Sequence, residues 1–199
     1  MDRRSGKTKK LLEDALIKLM IEKGFDKISI KDLTEEADIN RGTFYLHYKD
    51  KYDLLEQKED EFLKEFAKLA ESISEKYPRD FKLLSKKENL LQVFNFVYTY
   101  IKQNSDFMKV LLGANGDLNF QMKLKNFIES MLIKNVEVEF VGEIKLKYMG
   151  AVAASAQLGI IQKWLRTGME ESPEELAVFV SDVVYTIYNG VLKANVDIK

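Results

Sequence analysis

A chain of 199 residues with 46% hydrophobic and 32% charged residues has the composition of an ordinary folded protein, long enough for a well-buried core or a small module joined to a larger one. The absence of cysteine excludes disulfides, thiol nucleophiles and thiolate metal sites, and fits a reducing, cytoplasmic interior. The net charge of −1 announces no polyanion partner for the whole chain, but Arg3, Arg4, Lys7, Lys9 and Lys10 face only Asp2 at the start, and residues 1–52 hold 12 Lys/Arg against 10 Asp/Glu.

The opening MDRRSGKTKK lacks the apolar stretch of a secretion signal. The longest candidate membrane run, Tyr148 to Ile161, is interrupted by Ser155 and Gln157 and falls short of the roughly 18–20 apolar residues that span a bilayer. No membrane partner is expected.

With two prolines and little alternating β-branched pattern, the chain reads as all-α. A first helix covers about 7–23, with Leu12, Leu16, Leu19 and Met20 as its apolar stripe and Gly24 as its stop. Two short helices follow near 30–37 and 40–46. Asp50 and Asp53 then flank the start of a long charged helix that runs to about Lys76 and is broken by Tyr77-Pro78-Arg79-Asp80. Further helices are expected near 86–103, 105–113, 117–138, 142–167 and 173–192. Ser85 three before Glu88, and Ser172 three before Glu175 with Pro173 between, have the spacing of capping boxes. The expected division is a three-helix head, residues 1–55, and a larger helical body, residues 56–199.

The head carries the most specific pattern. Leu33 and Ala37 lie one turn apart, Ile39 and Phe44 follow across a tight turn, and Asn40 is a good N-cap for the second short helix. A small residue at 37 lets the two axes approach. These are the demands of a helix-turn-helix over about 29–48, whose second helix enters the DNA major groove. An ordinary corner between two helices has the same local pattern.

Residues 7 to about 55 go further and resemble the N-terminal domain of the TetR family of regulators. The resemblance rests on Lys23-Gly24-Phe25, Ile30-Lys31-Asp32-Leu33, the run Ala37-Asp38-Ile39-Asn40-Arg41-Gly42-Thr43-Phe44-Tyr45-Leu46-His47-Tyr48, and Lys51 with Leu54-Leu55. Asp38 departs from the glycine usual in this turn, but aspartate tolerates a left-handed backbone better than most residues. The resemblance implies a sequence-specific transcription regulator with a palindromic double-stranded DNA operator and no enzymatic activity. Arg41 and Thr43 then reach base edges, where arginine can pair with guanine O6 and N7 and the threonine methyl can touch thymine. Tyr45, His47 and Lys51 grip phosphates. Gly42 lets the backbone approach DNA closely, Asn40 caps the recognition helix beside them, and Lys31 matches family positions that touch the backbone or a base. The plain alternatives are a packed His47, a core Tyr45 and a merely solvated Lys31.

Beyond residue 70 the resemblance is looser. The segments 97–112 and 159–176, including Tyr98, Ile101, Asn104, Phe107, Gly159, Trp164 and Gly168-Met169, are similar to a TetR subgroup that includes regulators associated with dihydroxyacetone metabolism. Ala151, Ser155 and Gly159 make a smooth strip at four-residue spacing, and Phe179, Val180, Val183, Val184 and Ile187 make a broad apolar face. The family pairs these last two helices with those of a second copy, so a homodimer is implied; burial within one subunit is the alternative. Residues 93–101 are apolar on every side and should be buried all round. Phe94, Tyr98, Phe107, Met108, Met122, Phe127, Met149, Gln157 and Trp164 are candidates to line a small-molecule pocket, with plain core packing as the alternative. An enzyme is disfavoured, because there is one histidine, no cysteine and no phosphate-cradling glycine loop. No cofactor and no metal are expected. The reading is a repressor released from its operator by a small ligand, against a DNA-binding protein without effector.

Overall fold

A computed structural model describes residues 3–76, 86–113, 116–134 and 143–196. Two compact units emerge, residues 1–65 and 66–199, so the division falls within a helix rather than between helices.

In the first unit, α1 spans Arg3–Lys23 and buries Leu12, Ala15, Leu16, Leu19 and Met20 along one stripe. Each fully buried leucine contributes about 1.5–3 kcal/mol relative to an exposed one. Gly24 ends α1 with φ 78°, a conformation that any side chain strains. A single 3-10 turn at Phe25–Lys27 leads into α2, Ile30–Glu36. Ser29 opens α2 with a reciprocal capping box: the Asp32 amide donates to Ser29 Oγ at 3.2 Å, and the Ser29 amide donates to Asp32 Oδ2 at 2.8 Å. Lys23 Nζ joins the same carboxylate at 2.9 Å, tying the end of α1 to the start of α2. Those bonds hold the Asp32 carboxyl well below the usual carboxylate range, the Ser29 hydroxyl being the largest cause.

The turn after α2 places Asp38 at φ 52°, as its residue type allows. Then α3, Arg41–Tyr45, starts from Asn40, whose Oδ1 accepts from the Gly42 amide at 2.8 Å. Leu33, Ala37, Phe44 and Tyr48 close the small core that α1, α2 and α3 share. Asp50 Oδ1 accepts from the amides of Tyr52 at 2.9 Å and Asp53 at 2.8 Å, and so opens α4, Lys51–Lys76. This helix continues from the first unit into the second.

The second unit contains α5 (Lys87–Gln103), α6 (Ser105–Leu112), α7 (Leu118–Lys134), α8 (Glu143–Arg166) and α9 (Pro173–Val196). The fold is all-α, with no strand among the described residues. The capping box at Ser172 and Glu175 forms as its spacing predicts. Ser85 lies outside the described residues; Lys86 occupies the N-cap position of α5 without a side-chain bond. Helix α9 packs along α5, and α8 packs along α7 and α6. The core holds Leu90, Tyr98, Ile101, Phe107, Met108, Phe120, Ile161 and Trp164. No described helix is long and apolar enough to cross a membrane.

One expectation fails in part. Residues 93–101 are not buried all round: Tyr98 and Ile101 are buried, while Val93, Phe94, Phe96 and Val97 are partly exposed. The helix packs on one flank within the chain and leaves apolar surface on another. Along this packing, Asn89 Nδ2 and Asn95 Oδ1 on α5 and Ser181 Oγ on α9 are buried without a hydrogen-bond partner.

Candidate nucleic-acid interface

All eight residues expected at the DNA interface fall in the first unit, and none is buried. Lys31, Asn40, Arg41, Gly42 and Tyr45 are exposed; Thr43, His47 and Lys51 are half-buried. Five of them are consecutive or one residue apart in the short capped helix, from Asn40 to Tyr45. Asn40 is committed to the cap through its Oδ1, which leaves its amide NH2 as the donating end.

Arg41 and Tyr45 stand one turn apart and touch. Arg41 Nη2 donates to Tyr45 Oη at 3.1 Å, and the guanidinium carbon lies 5.6 Å from the centre of the Tyr45 ring. Gly42 is not demanded by the chain's own packing. A Cβ built there meets only Asn40 Oδ1, at 3.5 Å, an ordinary contact. Any need for glycine at 42 therefore comes from something outside the chain. Lys31 pairs loosely with Glu35 at 3.7 Å, both side chains well exposed, so it can turn to another anion at little cost. The His47 ring sits 6.3 Å from that of Tyr48.

Lys51 holds a position that spacing could not reveal. Its Nζ donates to the carbonyl oxygens of Phe25 and Asp26, each at 3.0 Å, and lies 4.8 Å from the Phe25 ring centre. The ammonium thus fastens the start of α4 to the 3-10 turn, and only its third N–H is available for a phosphate. Lys9 is similarly engaged, 3.3 Å from Gln57 Oε1 and 5.5 Å from the Tyr48 ring centre. Besides Tyr45, four large apolar side chains of this unit are exposed: Leu11 and Ile21 on α1, Leu46, 82% exposed, directly after α3, and Tyr52 on α4. Adjacency to Tyr45 was the available signal for Leu46.

The second unit separates the remaining candidates. Tyr98 and Trp164 meet edge to face at 5.6 Å, the Tyr98 hydroxyl donates to Gln157 Oε1 at 3.0 Å, and Phe94 stacks on Tyr98 at 6.3 Å. Burial pushes the Tyr98 hydroxyl upward from its ordinary pKa, so it remains a neutral donor. Trp164 Nε1 donates to the Glu171 carbonyl at 3.0 Å, beside the turn where Gly168 and Met169 take positive φ. Phe107 and Met108 are buried in α6, with Phe107 6.3 Å from Phe120; Phe127 packs 5.5 Å from Phe66, and Met149 is half-buried. Met122 departs from the expectation: it lies on the outer side of α7, 63% exposed, and lines no interior.

The apolar face of α9 also divides. Phe179, Val183 and Ile187 are exposed at four-residue spacing, whereas Val180 is only 2% exposed and points into its own unit; Val184 is half-buried. Since 179 and 180 are both apolar, the pattern alone did not fix the phase of the helix. On α8, Ser155 and Gly159 are exposed and Ala151 is half-buried, next to exposed Tyr148 and Val152. Shallow hollows line these faces, one between Phe179, Asp182, Val183, Thr186 and Ile187.

A capped helix-turn-helix ahead of an all-helical unit defines a class, the DNA-binding transcription regulators that carry a separate helical domain. Residues 12–57 match the bacterial regulatory proteins of the tetR family, and residues 88–186 match a transcriptional regulator C-terminal region of the same type. The chain belongs to the TetR family of transcriptional regulators, whose members are not enzymes. It is 24% identical over 175 residues to the uncharacterized HTH-type transcriptional regulator YxbF of Bacillus subtilis (strain 168), a match covering 87% of this chain and 43% of YxbF. The chain thus spans less than half the length of that relative. Among solved structures, a TetR-family regulator of Syntrophomonas wolfei superposes with a TM-score of 0.70 at 20% identity, over 92% of this chain and 95% of the other. The dihydroxyacetone kinase operon activator DhaS superposes with a TM-score of 0.60 at 22% identity, over 90% of this chain and 94% of its own. These two likenesses are of fold.

Proposed function

We propose that this regulator is a cytoplasmic homodimeric repressor that binds a palindromic operator and is released from it by a small molecule held in the helical body. The observation that carries the DNA-binding part is the short capped helix α3, which leaves Asn40, Arg41, Gly42 and Tyr45 exposed on one surface. Arg41 and Thr43 read base edges. Tyr45, His47, Lys31 and the free N–H of Lys51 hold phosphates, which fixes register without reading sequence. Residues 1–55 form the functional head and 56–199 the ligand-binding and dimerisation body.

Two copies meet through the exposed faces of α8 and α9, at Ala151, Ser155, Gly159, Phe179, Val183 and Ile187. Isolated apolar groups are common on surfaces, but a row on two neighbouring helices marks an interface. Two recognition helices related by a two-fold axis then match half-sites about 34–36 Å apart. An effector among Phe94, Tyr98, Gln157 and their neighbours acts through α4, the helix common to both units. At 1.5 Å per residue α4 is about 40 Å long, so a small tilt at one end displaces the other by several ångströms. The effect is bounded by the effector's differential affinity for the two states. DhaS, of like fold, is named an activator, and a promoter reporter distinguishes that sign from repression here.

Genome-wide occupancy, followed by a promoter reporter with and without the protein, tests this reading. A repressor predicts a few strong sites, a reporter that rises when the protein is removed, and a metabolite of the adjacent genes that releases the purified protein from those sites. Dispersed binding with no metabolite response supports the effector-free alternative instead.

A further inference from the structure

We infer that Tyr45 is a positioning residue for Arg41: it fixes the guanidinium on the recognition helix before DNA arrives, and so sets base discrimination as well as backbone grip. The inference rests on the reading that Arg41 contacts a base.

The geometry forms a chain from core to tip. Phe44 is fully buried, and the Tyr45 ring packs edge-on against it at 5.5 Å with an interplanar angle of 89°. That contact restrains a side chain that is otherwise 48% exposed. On the same tyrosine, the hydroxyl accepts from Arg41 Nη2 at 3.1 Å while the guanidinium lies 5.6 Å from the ring centre. An exposed arginine samples many rotamers, and docking it on a base freezes them; a side chain already held loses less on binding. The arrangement does not consume the arginine. One of its five N–H donors is used, which leaves enough for a two-pronged contact to guanine. Nor does it consume the tyrosine, since a hydroxyl that accepts from Arg41 still has its own O–H to donate to a phosphate. Backbone grip and base reading are thereby linked through one oxygen.

The two contributions separate by experiment. Affinity is measured for the selected operator, for operators changed at each base pair, and for unrelated DNA, with the wild type, Tyr45→Phe, Tyr45→Leu, Arg41→Ala and the Tyr45→Phe/Arg41→Ala double variant. Loss of a phosphate bond weakens all these DNAs by one common factor, with or without Arg41. The positioning role predicts something further: discrimination at the base pair read by Arg41 falls about 3–10-fold in Tyr45→Phe, the net size of one ordinary, water-exposed hydrogen bond. The fall is larger in Tyr45→Leu, which also lacks the ring, and discrimination at other base pairs is unchanged. In the Arg41→Ala background the Tyr45→Phe change costs no further discrimination. In the free protein, the Arg41 side-chain 15Nε relaxation should shift from ordered to mobile in Tyr45→Leu. Equal discrimination in wild type and both tyrosine variants overturns the inference while leaving base reading by Arg41 intact. If Arg41→Ala itself changes no base preference, base reading fails and the inference falls with it. Because Tyr45→Phe keeps the ring and Arg41 is exposed, thermal melts of Tyr45→Phe, Arg41→Ala and their double variant should coincide with that of the wild type, which separates these outcomes from misfolding.

Discussion

The surfaces of α3 and α9 are both left open by the chain, yet they differ in kind. On α3 the exposed groups end in polar tips, Asn40, Arg41 and Tyr45, two of which already bond one another. On α9 an apolar row, Phe179, Val183 and Ile187, runs beside the exposed Asp182 and Thr186. A surface of fixed donors suits a partner that is charged and hydrated throughout, as DNA is. A row of hydrocarbon suits a partner that brings hydrocarbon of its own, as a second copy does. One chain thus carries two unfinished faces, and their chemistries point to different partners.

The largest expected effect breaks the body's side of this contrast. Phe179→Arg places a charge at the head of the apolar row, where burial without a partner is costly. Sedimentation should show monomers, with operator affinity lost, while the helical content measured by circular dichroism persists. A variant that stays a clean dimer moves the interface elsewhere. The next effect concerns the interior behind that face. Trp164→Ala removes a fully buried ring together with its contact to Tyr98 and its bond to Glu171. It should cost about 3–5 kcal/mol in chemical unfolding. Small loss of stability would mark the surroundings of Trp164 as loosely packed, and so favour a ligand cavity there over a plain core.

On the side of the head, Lys51→Met should lower stability by about 1.5–3 kcal/mol even without DNA, because two carbonyl bonds from a charged donor disappear. A variant as stable as wild type but poor in DNA binding would make Lys51 a phosphate contact first. A smaller effect follows from the caps. Asp32 and Asp53 in the head and Glu175 in the body all have carboxyls held below their usual pKa by hydrogen bonds, from Ser29, Gln57 and the Ser172 backbone respectively as the first cause. A depressed folded-state pKa adds stability above the unfolded value, near 3.8 for aspartate and 4.5 for glutamate, and that stability is lost as pH falls through the folded value. Melting temperature should therefore drop on acidification below about pH 4. Asp32→Asn should lower stability at neutral pH and flatten that acid limb; an unchanged limb would assign it to other carboxylates.

The contrast also accounts for what was readable in advance. Asn40 as cap, Gly24 as stop and the Ser172–Glu175 box are local, fixed by residues within four positions of one another, and each was legible from residue type and spacing; the left-handed turn at Asp38 was legible from the family resemblance. The Ser29–Asp32 box has the same spacing, with aspartate in place of the usual glutamate or glutamine. The contact of Lys51 with Phe25 and Asp26 spans about 25 residues of chain, and no spacing rule encodes it. In the body, beyond the capping spacing at Ser172 and Glu175, the signal was apolar periodicity. It placed α5, α8 and α9 within a few residues of their observed ends, yet could not say that Val180 faces in and Phe179 out, or that Met122 faces outward. A broad apolar stripe leaves the rotation of its helix undetermined. The head is more legible because its surface must serve a polar partner and its core must still close; the body answers chiefly to burial, which many sequences satisfy.

The most direct test of the account is selection of the purified full-length protein against random duplex DNA, with affinity followed over a range of salt. The account predicts a two-fold symmetric sequence whose half-sites lie about one helical turn apart or a multiple of it, and an affinity that falls steeply as salt rises. A single unpaired half-site would contradict the dimer, and no enriched sequence at all would contradict the recognition role of α3.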